Sequence, residues 1–477
     1  MKMNIHIFLL FQMGRSRHSD LVPGQSHRTF DSKWKEFNDL VPGERLKTFA
    51  SRWMVFHASP AIKKLVKFGY RMKFDHLPKL SVPREKFATH LPREQMDVIR
   101  SSVAEFLDKK AVRKISYKEA CQNPGFYSKL FAVPKPNGTW RMIIDMRSLN
   151  SHISKKKFKM QGIKDVRNVL KRNVYGSVID ISDAYYHVSI HKRSRKYTRF
   201  ILDGEIYEYL GLPMGLTCSP RIFTKISKAV VAVLRLKGVI IIIYIDDILV
   251  LGMTFEECSK NVKMVLDLLG HLGFIIRPEK CTLTPATRFV YLGCVWDTVS
   301  WRVGVKEKRE KAIRKAASDI LKSEAVLVRT FSRLLGKIRS TDGFLPLARA
   351  RSRAMGFDFS AVCKTNEDYY KKFVPSEHAR AELKYWATFR EGESCLISTI
   401  DLPVHSVDTD ASPDNYGWYW QQKLFSESFT GKWKDFHINV KELYALRQFL
   451  RENIDFLENG LVCWRVDNTS ALAAIKK

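Results

Sequence analysis

Two adjacent aspartates, Asp246 and Asp247, interrupt the apolar run GVIIIIYIDDILVLG (238–252), and Asp180 ends a similar run in VIDISDAYYHV (178–188). A carboxylate is costly to bury, and like-charged neighbours raise one another's pKa. If the two runs are neighbouring strands, the three carboxylates meet at one sheet edge. Such a cluster is tolerable when hard divalent cations lie between its members, and Mg²⁺ suits one or two carboxylates plus phosphate oxygens. Two such ions would activate a hydroxyl and stabilise a leaving pyrophosphate in an in-line displacement. The plainer reading makes Asp246–Asp247 a solvated hairpin turn and Asp180 a local cap. Each aspartate taken singly supports that reading at least as well.

The surrounding pattern supplies the elements that must position these groups. Met96, Ile99, Val103 and Phe106 recur at helical spacing, as do Ile222, Ile226, Val230 and Val233 before the aspartate pair. Val262, Val265, Leu269 and Leu272 predict a helix after it, closed by Gly273. Two β-rich runs flank Pro136-Asn137-Gly138, a hairpin signal. Residues 175–190 read as a strand leading into a turn or short helix. Strands alternating with helices predict an α+β sheet with helices on one face. Beyond residue 300 the chain turns helical and basic, and strands return near 396.

The order of these blocks carries a resemblance. FAVPKPNGTWRMIIDMRSLN (131–150), VIDISDAY, LPMGLTCSPRIF (212–223), YIDD (244–247) and LGFIIRPEKCTL (272–283) with VYLG (290–293) resemble the reverse transcriptase palm over roughly residues 125–300. DAYYHVSIHKRSRKYTRF, SPRIFTK and HINVKELYAL look most like the DIRS group of retrotransposons, and residues 43–75 look like the segment preceding that group's polymerase. The resemblance implies a right-hand polymerase of fingers, palm and thumb, with an antiparallel palm sheet. It makes Asp180, Asp246 and Asp247 the catalytic and metal-binding carboxylates, with Asp247 the more peripheral of them. Two Mg²⁺ ions would occupy the site, with Mn²⁺ as an alternative. Tyr185 takes the place of the aromatic gate that crowds a 2′-hydroxyl, and Asp183 and Ala184 flank the incoming triphosphate. Lys135 and Arg141 become phosphate-binding cations of the fingers, and Met214 lies in the template and dNTP-pocket turn, where the family often has Phe or Gln. Lys280 corresponds to a proposed general acid for pyrophosphate; a solvated lysine accounts for it equally well. Arg277 stands where related elements often carry Asn, so the resemblance leaves that loop open.

A second trio follows: Asp410 in VDTDASPDNYGWYW, Glu442 in HINVKELYALRQFL and Asp467 in VCWRVDNTSALAAI. These resemble three of the four acids of RNase H, a two-metal nuclease of RNA–DNA hybrids. Asp408 competes with Asp410, but the D-A-S spacing favours Asp410. Asn439 three residues before Glu442 is also a capping-box pattern that explains the glutamate without a metal. The sequence given stops at Lys477, before any fourth acid, so the domain is expected to be C-terminally incomplete and its nuclease activity low or absent. The expected organisation is a basic, partly disordered extension over 1–82, fingers and palm over 83–300, helical thumb and connection over 301–395, and the RNase H-like α/β domain over 396–477.

Charge points to the same partners. The chain carries 81 Lys and Arg against 49 Asp and Glu, a formal net charge of +32, which favours a polyanion. The runs SKKKFK (154–159), HKRSRKYTR (191–199), KEKREKAIRK (306–315) and RARSR (349–353) are candidates for phosphate contact. RNA template, DNA primer, RNA–DNA hybrid and dNTPs are the expected partners, with other retroelement proteins besides. Eight scattered cysteines without a C-x-x-C suggest a reducing compartment. The apolar start MKMNIHIFLLFQM is short and broken by His6 and Gln12, so a cytoplasmic or nuclear protein is expected, neither secreted nor membrane-embedded. The competing class is a decayed or domesticated retroelement fragment that binds nucleic acid without catalysis. An RNA-only polymerase is a third reading, which Tyr185 opposes.

Overall fold

The computed structural model describes residues 6–10, 41–87, 89, 91–134, 138–345, 348–389, 394–397, 403–457 and 460–476, with side chains undescribed at 6–10, 86 and 476. The chain forms two compact units: Phe30–Ile397, and Met1–Thr29 together with Ser398–Lys477.

The larger unit is built around a four-stranded antiparallel sheet ordered Thr282–Ala286, Tyr175–Asp180, Asp247–Gly252, Ile240–Tyr244. The aspartate-bearing runs are therefore neighbours. Side chains on a strand point to alternate faces. Ile241, Ile243, Ile248 and Val250 enter one hydrophobic core, while Ile242, Leu249 and Leu251 enter another. Both faces are covered, which explains why the sequence there is continuously apolar rather than alternating. Each of these side chains is at most 4% exposed, and burying one contributes roughly 1.5–3 kcal/mol.

The first core contains the helices Ser219–Leu236 and Phe255–His271, whose buried faces include Ile222, Ile226, Val230, Val262, Val265 and Leu269. Gly273 lies just past the second helix with φ 93°, the left-handed geometry in which glycine commonly ends a helix. The second core joins the far face of the sheet to the helices Glu307–Leu321, Val328–Arg339, Arg353–Val362 and Glu377–Ala387. A second antiparallel sheet, Arg288–Tyr291, Cys294–Asp297, Arg302–Val305 and Ser394–Leu396, also lies there. The region expected to be helical thus includes the last two of these strands.

Residues 43–70, expected to be part of an extension, are built into the first core through Leu46, Trp53, Ile62 and Val66. The C-terminal carbonyls of a helix lack intrahelical partners and carry partial negative charge. Here Arg52 donates to the carbonyl of His271 (2.9 Å), Trp53 Nε1 to Leu272 (2.9 Å) and Arg45 Nε to Gly273 (3.1 Å). The basic and aromatic residues of this segment cap the helix Phe255–His271.

The basic run 191–199 is likewise only partly available to a phosphate backbone. Lys192 and Arg193 are exposed, but Arg195 pairs with Glu44 at 2.6 Å and Arg199 is buried against Glu208 at 3.2 Å. Charge counting cannot distinguish a solvated cation from one paired inside.

In the smaller unit a five-stranded sheet runs His6–Leu10, Leu461–Arg465, Val404–Ala411, Asn415–Trp420, Lys423–Ser428. Val404–Ala411 is parallel to Leu461–Arg465, and the other neighbours are antiparallel. The helix Ile438–Glu452 packs on this sheet with Ala445, Leu446 and Phe449 buried; Leu443 and Leu450 are partly buried beside them.

Trp53 is fully buried and hydrogen-bonded. Trp53→Ala is therefore expected to lower unfolding stability in urea by about 3–5 kcal/mol, whereas Trp53→Phe should cost less. A change below 1 kcal/mol for Trp53→Ala, roughly the scale of a surface substitution, would contradict the packing described.

Candidate active site and metal centre

The register pairs Asp180 with Asp247, and Tyr244 with Asp247 across a two-residue turn formed by Ile245 and Asp246. Ile245 has φ 57°, a left-handed conformation that is an outlier for a β-branched residue and costs on the order of 1–3 kcal/mol. Its surroundings hold it there. Ile245 packs against the first core, the Ile181 amide donates to the Asp246 carbonyl (3.0 Å), and Tyr291 Oη donates to the Asp247 carbonyl (3.1 Å). The strained turn projects Asp246 beyond the last ladder pair.

A cavity of about 260 Å³ is lined by Asp180, Asp183, Ala184, Tyr185, Met214, Asp246, Arg277 and Lys280, among others. Asp247 is not in its lining, consistent with a more peripheral place. Burial, together with Asp246 and Asp180, pushes the Asp247 carboxyl from its ordinary 3.8 up to about 6. Asp180 is also raised, chiefly by burial and then by Asp246, while Lys280 and Arg277 act against the rise. Clustered oxygen donors that resist ionising together fit a hard divalent cation, which would relieve their repulsion. Asp180, Asp246 and Asp247 are the residues that would hold it.

Tyr185 is half-buried, its ring edge-on to Phe223 with centroids 6.0 Å apart. It lies in the short helix Ala184–His187, entered through Asp183 at φ 46°. The Asp183 side chain is not free: Lys109 Nζ lies at 2.9 Å and an Arg277 guanidinium nitrogen at 3.3 Å. Met214 is 58% exposed in a turn braced by Asn150. The Asn150 amide donates to the Gly215 carbonyl and accepts from the Thr217 amide, both at 2.8 Å. Arg141 is exposed on the hairpin strand Trp140–Ile144, opposite Val133, and does not line the cavity. Lys135 lies outside the described residues.

Several supporting residues carried no signal in the sequence. The Cys281 thiol accepts from the Asp180 amide and donates to the Arg277 carbonyl, both at 3.2 Å. His187 is fully buried, and its Nε2 accepts from the Ile275 amide at 3.0 Å. Burial pushes its pKa from 6.5 down to about 4, so it remains a neutral acceptor. Both depend on contacts with segments about 90 or more residues away in the chain, which no local pattern reports.

In the smaller unit, Asp410, Glu442 and Asp467 bring one ligand oxygen each within 4.8 Å of one another. Asp408 instead pairs with Arg465 at 2.5 Å and is not one of the three clustered acids. The capping-box explanation of Glu442 does not hold. The helix is capped by His437, whose Nδ1 accepts from the Asn439 amide, and Asn439 Oδ1 accepts from the Asn468 side chain at 2.9 Å. That last bond ties the residue after Asp467 to the helix bearing Glu442. Glu442 is 3% exposed, and its Oε2 has no hydrogen-bond partner. A buried, unpartnered carboxylate oxygen facing two other acids fits a metal ligand better than a structural role.

The fold is that of a reverse transcriptase polymerase. Residues 133–296 match the family model described as "Reverse transcriptase (RNA-dependent DNA polymerase)". Among solved structures, the foamy viral protease-reverse transcriptase in complex with RNA/DNA hybrid aligns with TM-score 0.55 and 19% identity, covering 91% of this chain and 57% of that one. The same viral protein in complex with dsDNA aligns with TM-score 0.53 and 20% identity, covering 86% of each chain. The chain is similar to the retrovirus-related Pol polyprotein from transposon 412 of Drosophila melanogaster, 26% identical over 40% of this chain and 15% of that one. It is also similar to Polyprotein P3 of Commelina yellow mottle virus, 30% identical over 33% of this chain and 8% of that one. The aligned parts thus make up 15% or less of these polyproteins.

The Glu442 carboxyl is pushed from its ordinary 4.5 up to about 7, by burial first and then by Asp410 and Asp467. The folded state therefore keeps a proton that the unfolded state loses between about pH 4.5 and 7. This contribution makes the metal-free protein less stable as pH rises through that window. Metal-free Glu442→Gln is expected to melt about 2–4 °C above wild type at pH 8. The difference should close toward pH 5, and saturating Mn²⁺ should reverse the order. Calorimetry with chelator and with Mn²⁺ checks both signs.

Proposed function

We propose that the chain is the RNA-directed DNA polymerase of a retroelement. The observation that carries this reading is one cavity in which Asp180 and Asp246 face Tyr185 and Lys280, within the segment matching the reverse transcriptase family. Mg²⁺ bound to Asp180 and Asp246, with Asp247 at its margin, would supply Lewis-acid activation of a primer 3′-hydroxyl and neutralise the leaving pyrophosphate. Mn²⁺ has the same oxygen preference.

The protein's own groups do the rest. The Tyr185 ring occupies space that a 2′-hydroxyl would need and so favours deoxynucleotides. Ala184 and the backbone at Asp183 receive the triphosphate, and the family resemblance assigns Lys135 and Arg141 to its phosphates as a point cation and a forked one. Lys280, on the cavity wall, donates a proton to the departing pyrophosphate. Met214, exposed in its braced turn, meets the templating pair.

The complexes of the viral relatives with RNA/DNA hybrid and dsDNA support the same partners here: RNA template, DNA primer, hybrid product and dNTPs. In this reading residues 83–300 are fingers and palm, 301–395 are thumb and connection, and 396–477 form an RNase H-like domain. The three acids of that domain would hold a divalent metal, with hybrid cleavage low or absent. The wording of DAYYHVSIHKRSRKYTRF and HINVKELYAL supports a DIRS-like element. A non-catalytic nucleic-acid binder is disfavoured, since it would not need two acids, an aromatic gate and a lysine lining one cavity beside a strained turn.

Primer extension on an RNA template tests the assignment. Wild type is expected to extend with dNTPs and Mg²⁺. Asp246→Asn should lose roughly 10³-fold or more in rate, a larger loss than Asp247→Asn. Tyr185→Ala should admit rNTPs. A wild-type chain that retards the hybrid on a gel yet never extends the primer would overturn the reading.

A further inference from the structure

Asp183 is a non-glycine residue at φ 46°, between the carboxylate Asp180 and the ring of Tyr185. A residue held in a left-handed conformation stays there only when its surroundings over-determine it. The structure shows what does so. On one side, the segment Ile275–Arg277 runs antiparallel to the loop. Ser182 donates its amide to the Ile275 carbonyl (2.9 Å), Ile181 bridges Ile276, and the Arg277 amide donates to the Asp180 carbonyl (3.0 Å). The Arg277 guanidinium then folds over the loop, donating to Ser182 Oγ at 3.0 Å and to Asp183 Oδ2 at 3.3 Å. On the other side, Lys109 Nζ reaches the same Asp183 oxygen at 2.9 Å. Lys109 lies at the end of the helix Arg93–Asp108 and accepts the Gly43 amide through its carbonyl (2.9 Å), while the Glu44 amide donates to the Tyr186 carbonyl (3.1 Å).

We infer that Arg277, with Lys109 and Asp183, forms an ionic latch that sets the spacing between the metal-binding edge and the nucleotide gate. This makes Arg277 a positioning residue for nucleotide selection. Among the described residues the Tyr185 ring has one aromatic neighbour, Phe223, at 6.0 Å, so its place in the cavity follows the backbone of 183–186. Asp183 carries two cations on one carboxylate at 15% side-chain exposure. Removing one leaves the other unable to fix the loop from both sides. One terminal nitrogen of the guanidinium meets Ser182 and Asp183 at once, while its Nε lies 3.6 Å from Glu279. Its place in the cavity wall beside Asp180 and Tyr185 puts any loosening directly into the site.

This inference rests on the polymerase reading, and the test separates the two. Single-nucleotide extension with dNTP and rNTP is measured for wild type, Arg277→Met, Arg277→Lys, Asp183→Asn and the double variant Asp183→Asn/Arg277→Met. Hydrogen exchange of the amides of 181–186 is followed in the same proteins. Arg277→Met is expected to lower kcat/KM for dNTP about 10- to 100-fold and to reduce the dNTP/rNTP preference about tenfold. It should also speed exchange at 181–186. Arg277→Lys should recover part of each effect, and Asp183→Asn should add little to Arg277→Met, since the two side chains act through one contact. If Arg277→Met keeps its nucleotide preference within about twofold, the latch is refuted even if the melting temperature falls. If wild type does not extend any primer, the polymerase reading fails. The exchange data then decide the latch alone, and unchanged protection at 181–186 overturns it.

Discussion

Electrostatic repulsion among carboxylates at one sheet edge is the constraint to which the rest of the larger unit answers. Asp180 and Asp247 are cross-strand partners and Asp246 occupies the adjoining turn, so the fold holds negative charge together in a partly desolvated place. Left to itself such a turn would relax outward into water. It is prevented by two cores gripping opposite faces of the same strands and by a left-handed isoleucine that the packing does not release. Apolar burial of several side chains, at roughly 1.5–3 kcal/mol each, outweighs a strain on the order of 1–3 kcal/mol and one or two raised carboxyl pKa values.

The same balance recurs in the smaller unit by a different route. There the charges come from a strand end, a helix and the loop two residues past the strand Leu461–Arg465, and the buried glutamate bears most of the cost. Asp408 shows how the fold sorts equivalent residues: a single arginine, Arg465, removes it from contention and leaves Asp410 for the cluster. In both units a cation beside or between the acids would relieve their repulsion.

Much of this was legible along the chain because it is local. The helices 93–108, 219–236 and 255–271 follow from apolar residues at helical spacing, and the hairpin bearing Asp246 follows from its flanking isoleucines. Asp180, Tyr185, Met214, Lys280 and Asp246 stand in ordered blocks, and the structure brings all five into one cavity. What was not legible depends on partners far apart in sequence. Residues 43–70 looked like a basic extension because nothing local shows that Arg45, Arg52 and Trp53 cap a helix ending more than two hundred residues later. Arg195 and Arg199 looked like phosphate ligands because an internal glutamate cannot be seen from a run of positive charge. The Asn439–Glu442 pair looked like a capping box because spacing alone does not say which residue begins the helix.

By itself, the sequence determined the element types and the identity of the acids, since hydrophobic periodicity and motif order are properties of neighbouring residues. Only the tertiary structure decided which cations face the cavity, which are spent on internal carboxylates, and which acid among near-equivalents joins a cluster. Those outcomes depend on distance and desolvation between segments joined only by folding. The pair in YIDD illustrates both parts. Its two aspartates are plain in the sequence, but the register with Asp180 and the twist at Ile245 are what set Asp246 in the cavity lining and leave Asp247 out of it.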